Sequence, residues 1–365
     1  WTLFISNAML FHSVRARSQT KWMERECVLR MKALVLYGPK DFRLVEDWPM
    51  PVSKPGWAVV KVTYAGVCGS DMTRFFQTGS YHLPMVIGHE FSGTVAVPAP
   101  GGKLAQGTPV AVMPIIPCGQ CQGCLETGEP FHCSQYQFIG SRNDGGFAAY
   151  CLVPESNLFV LPSEDRLLQG AFIEPLAVGL HTVRRSGLGP GSKASTTVFG
   201  AGPIGLSVAF WLKHFGIDVT VVDVRPYSLT IARNMGFAKV LPFDQTQDLR
   251  FDAMFEASGA AAVLERAIAC AKPKASITVL GRGGQDTVIP HALFETLQRK
   301  EISLNGCWGY NLSGEEQVMQ DALTQFDPLP MISHIVAPQA IQAHLWAMHE
   351  RTIDTCKVLI DFREE

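Results

Sequence analysis

The run Thr196-Thr-Val-Phe-Gly200-Ala-Gly202-Pro203-Ile204-Gly205 sets three glycines between a β-branched stretch and an apolar stretch of helical periodicity. In that context the motif reads as a dinucleotide-binding turn. Gly200 permits the tight bend, Gly202 lets the backbone approach a pyrophosphate, and Gly205 lets the helix close on the strand. The helix that begins at Pro203 and Ile204 would direct its free N–H groups at the phosphates. Asp223 follows Gly205 by 18 residues, at the end of Val219-Thr-Val-Val, where a carboxylate accepts hydrogen bonds from ribose hydroxyls. The pair points to NAD. Arg225 offers a partner for a 2′-phosphate, but Asp223 would repel that dianion, so NADP is the weaker reading.

Outward from this motif the chain alternates helix and strand. Thr196 to Phe199, Val219 to Asp223, Asp252 to Glu256 and Ser276 to Leu280 read as strands, with helices at Pro203 to Phe215, Tyr227 to Met235 and Ala260 to Ala271. Alternation of this kind builds parallel βαβ units, so residues 179–313 are expected to form a doubly wound parallel sheet of Rossmann type. Upstream, Ala33 to Tyr37, Phe42 to Val45 and Ala58 to Val67 make a region of strand and loop. From about Gly314 the mixed character returns, and the chain ends in Lys357-Val-Leu-Ile, a short strand able to pair back with the first part. The expected class is α/β, with residues 31–178 and 314–365 forming a mostly-β domain around the Rossmann domain.

Four cysteines, Cys118, Cys121, Cys124 and Cys133, are spaced so that one tetrahedral Zn²⁺ can gather them. Four thiolates leave no open coordination position, so this zinc is expected to be structural. A second set is more scattered: Cys68-Gly-Ser70-Asp71, then Gly88-His89-Glu90, then Glu174 in Phe172-Ile-Glu-Pro175. Cys, His and Glu make a catalytic zinc shell with one position free, and Asp71 is placed to orient the His89 imidazole. Glu90 and Glu174 both remain candidates for the carboxylate ligand. Ser70 is the candidate proton acceptor beside the metal, or else bonds the backbone. Arg74 is a candidate to hold an anionic or polyhydroxylated substrate, or an ordinary surface arginine.

Composition narrows the function classes. With 365 residues, 47% of them apolar, the chain has material for roughly two domains. Its 31 basic and 33 acidic residues nearly cancel, which removes the electrostatic case for nucleic acid or an anionic membrane surface. No apolar run approaches the roughly 18 residues of a bilayer span. The expected partner is therefore a small molecule. Clustered thiolates kept as metal ligands favour a reducing compartment, the cytoplasm. Residues 1–30 read as an extension or leader ahead of a start at Met31.

The order Cys-Gly-Ser-Asp, Gly-His-Glu-Phe-Ser-Gly, the four-cysteine lobe, Ile-Glu-Pro and Gly-Ala-Gly-Pro-Ile-Gly resembles the zinc-containing medium-chain alcohol dehydrogenases from Met31 to the C-terminus. That resemblance implies a GroES-like catalytic domain beside the Rossmann domain, one catalytic and one structural zinc per subunit, NAD, and a homodimer or homotetramer. Phe138-Ile-Gly-Ser-Arg-Asn-Asp-Gly-Gly-Phe-Ala-Ala-Tyr150 is similar to the galactitol-1-phosphate 5-dehydrogenase branch, near the sorbitol and threonine enzymes. By this similarity Cys68, His89 and Glu174 carry the catalytic zinc, while Glu90 matches the acidic ligand of sorbitol dehydrogenases. A polyol or polyol phosphate is the implied substrate. Three departures stand out: eight residues between Cys124 and Cys133, a Val97-Pro-Ala-Pro-Gly-Gly loop, and Thr73 at the relay-histidine position of horse-type enzymes. The competing readings are a sorbitol- or threonine-type dehydrogenase, and a non-catalytic sensor of NAD or a metabolite on the same fold.

Overall fold

The sheet built around the glycine motif runs, edge to edge, Lys239–Pro242, Val219–Asp223, Thr196–Phe199, Phe251–Glu256, Ala271–Val279, Ser303–Gly306, in a computed structural model that describes residues 29–284 and 286–363. All five pairings are parallel. The chain enters at Thr196–Phe199 and winds outward to both edges, so the direction of winding reverses beside that strand, where such sheets bind dinucleotides. Every residue of Thr196–Phe199 is buried, as a strand covered on both faces requires.

Sequence periodicity locates four of these six strands and misses both edges. Lys239–Pro242 has four residues and ends in proline, and Ser303–Gly306 is polar and largely exposed. The helix expected at Ala260 to Ala271 is shorter, Ala261–Ala269, and the strand expected from Ser276 already begins at Ala271. The expectation for residues 1–30 lies outside the described residues apart from Leu29 and Arg30.

The other large sheet has seven strands. Leu158–Val160, Pro109–Val112, Glu90–Val97, Trp57–Gly66, Lys357–Asp361 and Ile332–Val336 lie side by side, with Tyr150–Pro154 also on Trp57–Gly66. The C-terminal strand does pair back with the first part: Lys357–Asp361 is antiparallel to Trp57–Gly66, with Leu359 opposite Gly66, and parallel to Ile332–Val336. A smaller sheet of Asp41–Pro49, Arg30–Gly38 and Met85–Val86 packs over the same core.

The two sheets meet along the helix Ile173–Arg185, whose apolar side is buried against the glycine-motif helix Pro203–His214. Trp211 Nε1 donates to the Leu176 carbonyl at 2.7 Å. Gly179 lies so close to Ser207 that a β-carbon there would stand 2.8 Å from its carbonyl carbon. This seam fixes Glu174, in the first turn of Ile173–Arg185, relative to the cofactor turn.

Candidate active site

The strand read from the sequence at Ala58 to Val67 runs Trp57–Gly66 and leads directly to Cys68. Cys68 is the N-cap of a short helix, Gly69–Thr73. Asp71, one turn into that helix, accepts the Cys68 amide at 3.0 Å through Oδ2 and turns Oδ1 to His89 Nδ1 at 3.4 Å. His89 Nδ1 has no closer partner. The imidazole is thus presented with Nε2 toward the cleft. Gly88 makes this possible at φ +95°, with its α-carbon so near the Phe147 ring that a β-carbon would collide at 2.2 Å.

Donor atoms of Cys68, His89 and Glu90 lie within 4.8 Å of one another. A thiol, an imidazole and a carboxylate in that space fit a Zn²⁺ ion, whose ligands sit about 2.0–2.3 Å from the metal. Burial pushes the His89 pKa down, but Asp71 and Cys68 outweigh it and hold the imidazole well above its usual range.

Glu174 lines the same cavity yet stands outside that three-donor set. Burial, opposed by His89 and reinforced by Glu90, pushes its carboxyl up to about 7. Glu90 has a partner of its own: Lys357 donates to its carboxylate, and both side chains are 1% exposed. Sequence reasoning missed Lys357. The available signal was a lysine opening an otherwise apolar terminal strand, where only a buried counter-charge makes it tolerable.

On the cofactor side, Gly200 has φ +103°, and a β-carbon on Gly205 would stand 1.8 Å from the Gly200 carbonyl oxygen. A β-carbon on Gly202 would meet nothing within 4 Å, so its surface is open for a ligand. Asp223 accepts the Ala201 amide at 2.7 Å and the Arg225 amide at 2.8 Å, one on each oxygen, and each oxygen keeps a lone pair. Arg225 is half exposed, its Nε 4.0 Å from Asp223.

Cys118, Cys121, Cys124 and Cys133 converge within the same 4.8 Å limit. The lobe is bracketed by the small ladder of Ile115–Ile116 with Gln137–Phe138. Backbone amides of Cys124 and Ser134 pull the Cys121 thiol down to about 5, while desolvation and neighbouring sulfurs push Cys124 up to about 12. Four sulfurs gathered this closely, with Cys121 Sγ 3.5 Å from Cys124 Sγ, suit a single tetrahedral metal ion.

The two halves share a cavity of about 370 Å³. Cys68, Ser70, His89 and Glu174 face it from one side, Ile204 and Leu280 from the dinucleotide side. Ser70 Oγ accepts from Arg74 Nη1 at 2.9 Å and retains its own proton and a second lone pair. Thr73 Oγ1 is turned back to the Gly69 carbonyl at 3.3 Å. Arg282, also in the lining, was not singled out from the sequence. Among the described residues, no helix is long and apolar enough to cross a membrane.

Comparison with known proteins agrees with this geometry. Residues 54–163 match the alcohol dehydrogenase GroES-like domain, and residues 203–326 match the zinc-binding dehydrogenase domain. The chain is 36% identical over 262 residues to galactitol 1-phosphate 5-dehydrogenase of Escherichia coli (strain K12), covering 68% of this chain and 75% of that protein. It is 31% identical over 327 residues to L-idonate 5-dehydrogenase (NAD(P)(+)) of the same strain, 84% of this chain and 91% of the other. The crystal structure of galactitol-1-phosphate dehydrogenase from Escherichia coli superposes with a TM-score of 0.83 at 30% identity, covering 91% of this chain and all of that one.

Proposed function

Because the chain belongs to the zinc-containing medium-chain alcohol dehydrogenases, we propose that it oxidises a secondary alcohol of a polyol, free or phosphorylated, with NAD as the hydride acceptor. One observation carries the reading: Cys68 and His89, two of the three clustered donors, share a cavity with Glu174 and with Ile204 of the glycine motif and Leu280. An alcohol carbon and a nicotinamide are brought together there.

Cys68, His89 and a carboxylate would hold the catalytic zinc, and the four lobe cysteines the structural one. A bound zinc supplies Lewis acidity toward the alcohol oxygen, and the nicotinamide supplies the acceptor for two electrons. The chain's own residues do the rest. Asp71 fixes the His89 tautomer and ring direction. Ser70 Oγ, steadied by Arg74, offers a lone pair to the departing hydroxyl proton. Lys357 holds Glu90 in its buried position, and Glu174 stands beside the donor set as the alternative carboxylate.

Asp223 supports NAD over NADP, since its carboxylate stands at the end of the strand beside the glycine turn. A homodimer or homotetramer in the cytoplasm belongs to the same proposal. It is supported by the open edge of Ser303–Gly306, where Leu304 is 45% exposed, and by nine described cysteines that form no disulfide.

The test is formation of NADH by the zinc-loaded protein on galactitol 1-phosphate, sorbitol and threonine, with Cys68→Ala as control. Oxidation of a polyol and its loss in the control is the expected result. Full activity of Cys68→Ala, or turnover of threonine alone, overturns the reading.

A further inference from the structure

Two arginines from opposite halves of the molecule face one cleft. Arg74 lies on the turn Arg74–Thr78, just after the helix that begins at Cys68, and its side chain is 17% exposed. It donates to Ser70 Oγ at 2.9 Å and stands 3.4 Å from Asp71 Oδ1. That carboxylate is buried and already shared with the Cys68 amide and His89, so it neutralises Arg74 only in part.

Arg282 comes from the dinucleotide half. Its stem is fixed: the Leu280 and Gly281 amides donate to the Glu256 carbonyl at 3.0 and 2.8 Å, and a β-carbon on Gly281 would stand 2.2 Å from the Gly259 nitrogen. Its guanidinium lies over the Trp308 ring, 5.6 Å from the centroid. Among the described residues it makes no ion pair.

Both arginines line a pocket of about 390 Å³ together with Ser70, Thr73, Thr78, Ser80 and Tyr81, and among the described residues no acidic side chain borders it. Thr73, Thr78 and Ser80 spend their hydroxyl protons on the Gly69, Gly79 and Ser141 carbonyls, which leaves Ser70 and Tyr81 as the free hydroxyls. The same two arginines, Ser70 and Tyr81 also border the cavity that holds Cys68 and His89. The two spaces are therefore adjoining, and one elongated molecule can occupy both.

We propose that this pocket is a dianion subsite that takes the phosphate of a polyol phosphate monoester while the reacting alcohol lies by Cys68 and His89. The inference rests on the polyol reading above and narrows it to phosphorylated substrates. A neutral polyol end would leave the Arg282 charge, and the part of the Arg74 charge that Asp71 does not offset, unanswered. A sugar-acid carboxylate brings one charge and two oxygens, whereas a phosphate ester brings nearly two charges and three acceptor oxygens, matching two guanidinium groups and the Ser70 and Tyr81 hydroxyls. The cofactor pyrophosphate does not compete, because its approach is at Gly200 to Gly205, in a separate turn.

The test uses zinc-loaded enzyme saturated with NAD. Galactitol and sorbitol are compared with their monophosphates and with L-idonate, and inorganic phosphate binding is followed by calorimetry. In the wild type the phosphorylated polyol is preferred in kcat/KM. Arg282→Gln lowers that preference by about tenfold to a hundredfold, the loss expected for one charge-assisted contact, and weakens inorganic phosphate to a similar degree. Arg282→Lys recovers part of both.

Equal kcat/KM for a polyol and its phosphate would overturn the subsite while leaving the polyol reading intact. Preference for L-idonate over every phosphate ester would make the occupant a carboxylate, and would overturn it too. If no polyol reduces NAD but inorganic phosphate still binds in an Arg282-dependent way, the subsite stands and the polyol reading falls. An unchanged preference in Arg282→Gln excludes this placement.

Discussion

Lys357 and Glu90 form their buried ion pair across Gly66, the residue that faces Glu90 on one neighbouring strand and Leu359 on the other. A β-carbon on Gly66 would stand 2.8 Å from Glu90 Oε2, so the missing side chain makes the space for the carboxylate. Burial opposes the charge on Lys357, yet Glu90 and Cys68 raise its pKa. Lys357→Met is expected to cost about 3–5 kcal/mol, because it strands a buried carboxylate, and adding Glu90→Gln to return much of it. A denaturant double-mutant cycle on zinc-stripped protein measures the coupling. Strict additivity would show that the two groups do not depend on each other.

The glycine turn separates two roles that one motif usually confounds. Gly205→Ala drives a β-carbon into the Gly200 carbonyl oxygen and is expected to destabilise the chain by about 1–3 kcal/mol, as overpacking does. Gly202→Ala meets no protein atom, so its stability should change by less than about 0.5 kcal/mol. It should nonetheless weaken NAD binding at least tenfold, since the added methyl occupies the approach of the pyrophosphate. Thermal melting and NADH fluorescence titration together decide this, and unimpaired NAD binding by Gly202→Ala would contradict it.

Zinc content should report the two metal sites independently. The wild-type chain is expected to carry two zinc ions, and Cys68→Ala and Cys121→Ser one each, with only the latter losing substantial thermal stability. Elemental analysis alongside calorimetry checks both halves of this statement.

The lobe should also release its metal in acid. Cys124, pushed up to about 12, holds its proton far above neutrality in the metal-free lobe, and zinc binding must displace it. Affinity at this site therefore rises with pH and falls as protons compete for the sulfurs. A chelator titration between pH 6 and pH 8, run on Cys68→Ala to isolate the lobe, should give weaker binding at the lower pH. A flat profile would mean that the thiols are already ionised before metal arrives.

Cofactor choice should follow Asp223. Asp223→Ser removes the charge that would repel a 2′-phosphate, leaving Arg225 beside the site, and is expected to shift the NAD to NADP preference at least tenfold toward NADP. The substitution also gives up the hydrogen bond to the Ala201 amide, so kcat/KM for NAD should fall as well.

Much of this design is local and was legible for that reason. The glycine turn and the four-cysteine lobe each occupy a short stretch, so spacing alone conveys their chemistry. What depends on distant contacts was not legible. That Glu90 has a buried counter-charge could not be read from its surroundings in the sequence, because Lys357 lies 267 residues away. Arg282 lacked any marker until the Glu256 carbonyl was seen to hold its stem beside the cleft. Lys239–Pro242 and Ser303–Gly306 escaped because edge strands need little apolar patterning, their neighbours supplying the order.

The place of Lys357–Asp361, wedged between Trp57–Gly66 and Ile332–Val336, makes the metal pocket depend on a strand far along the chain from the ligands it supports. A polypeptide lacking that strand would leave Tyr64, Ala65 and Gly66 without their partner and Glu90 without its cation. Recognition of the metal and closure of the larger sheet are thereby one event, since the same five residues serve both.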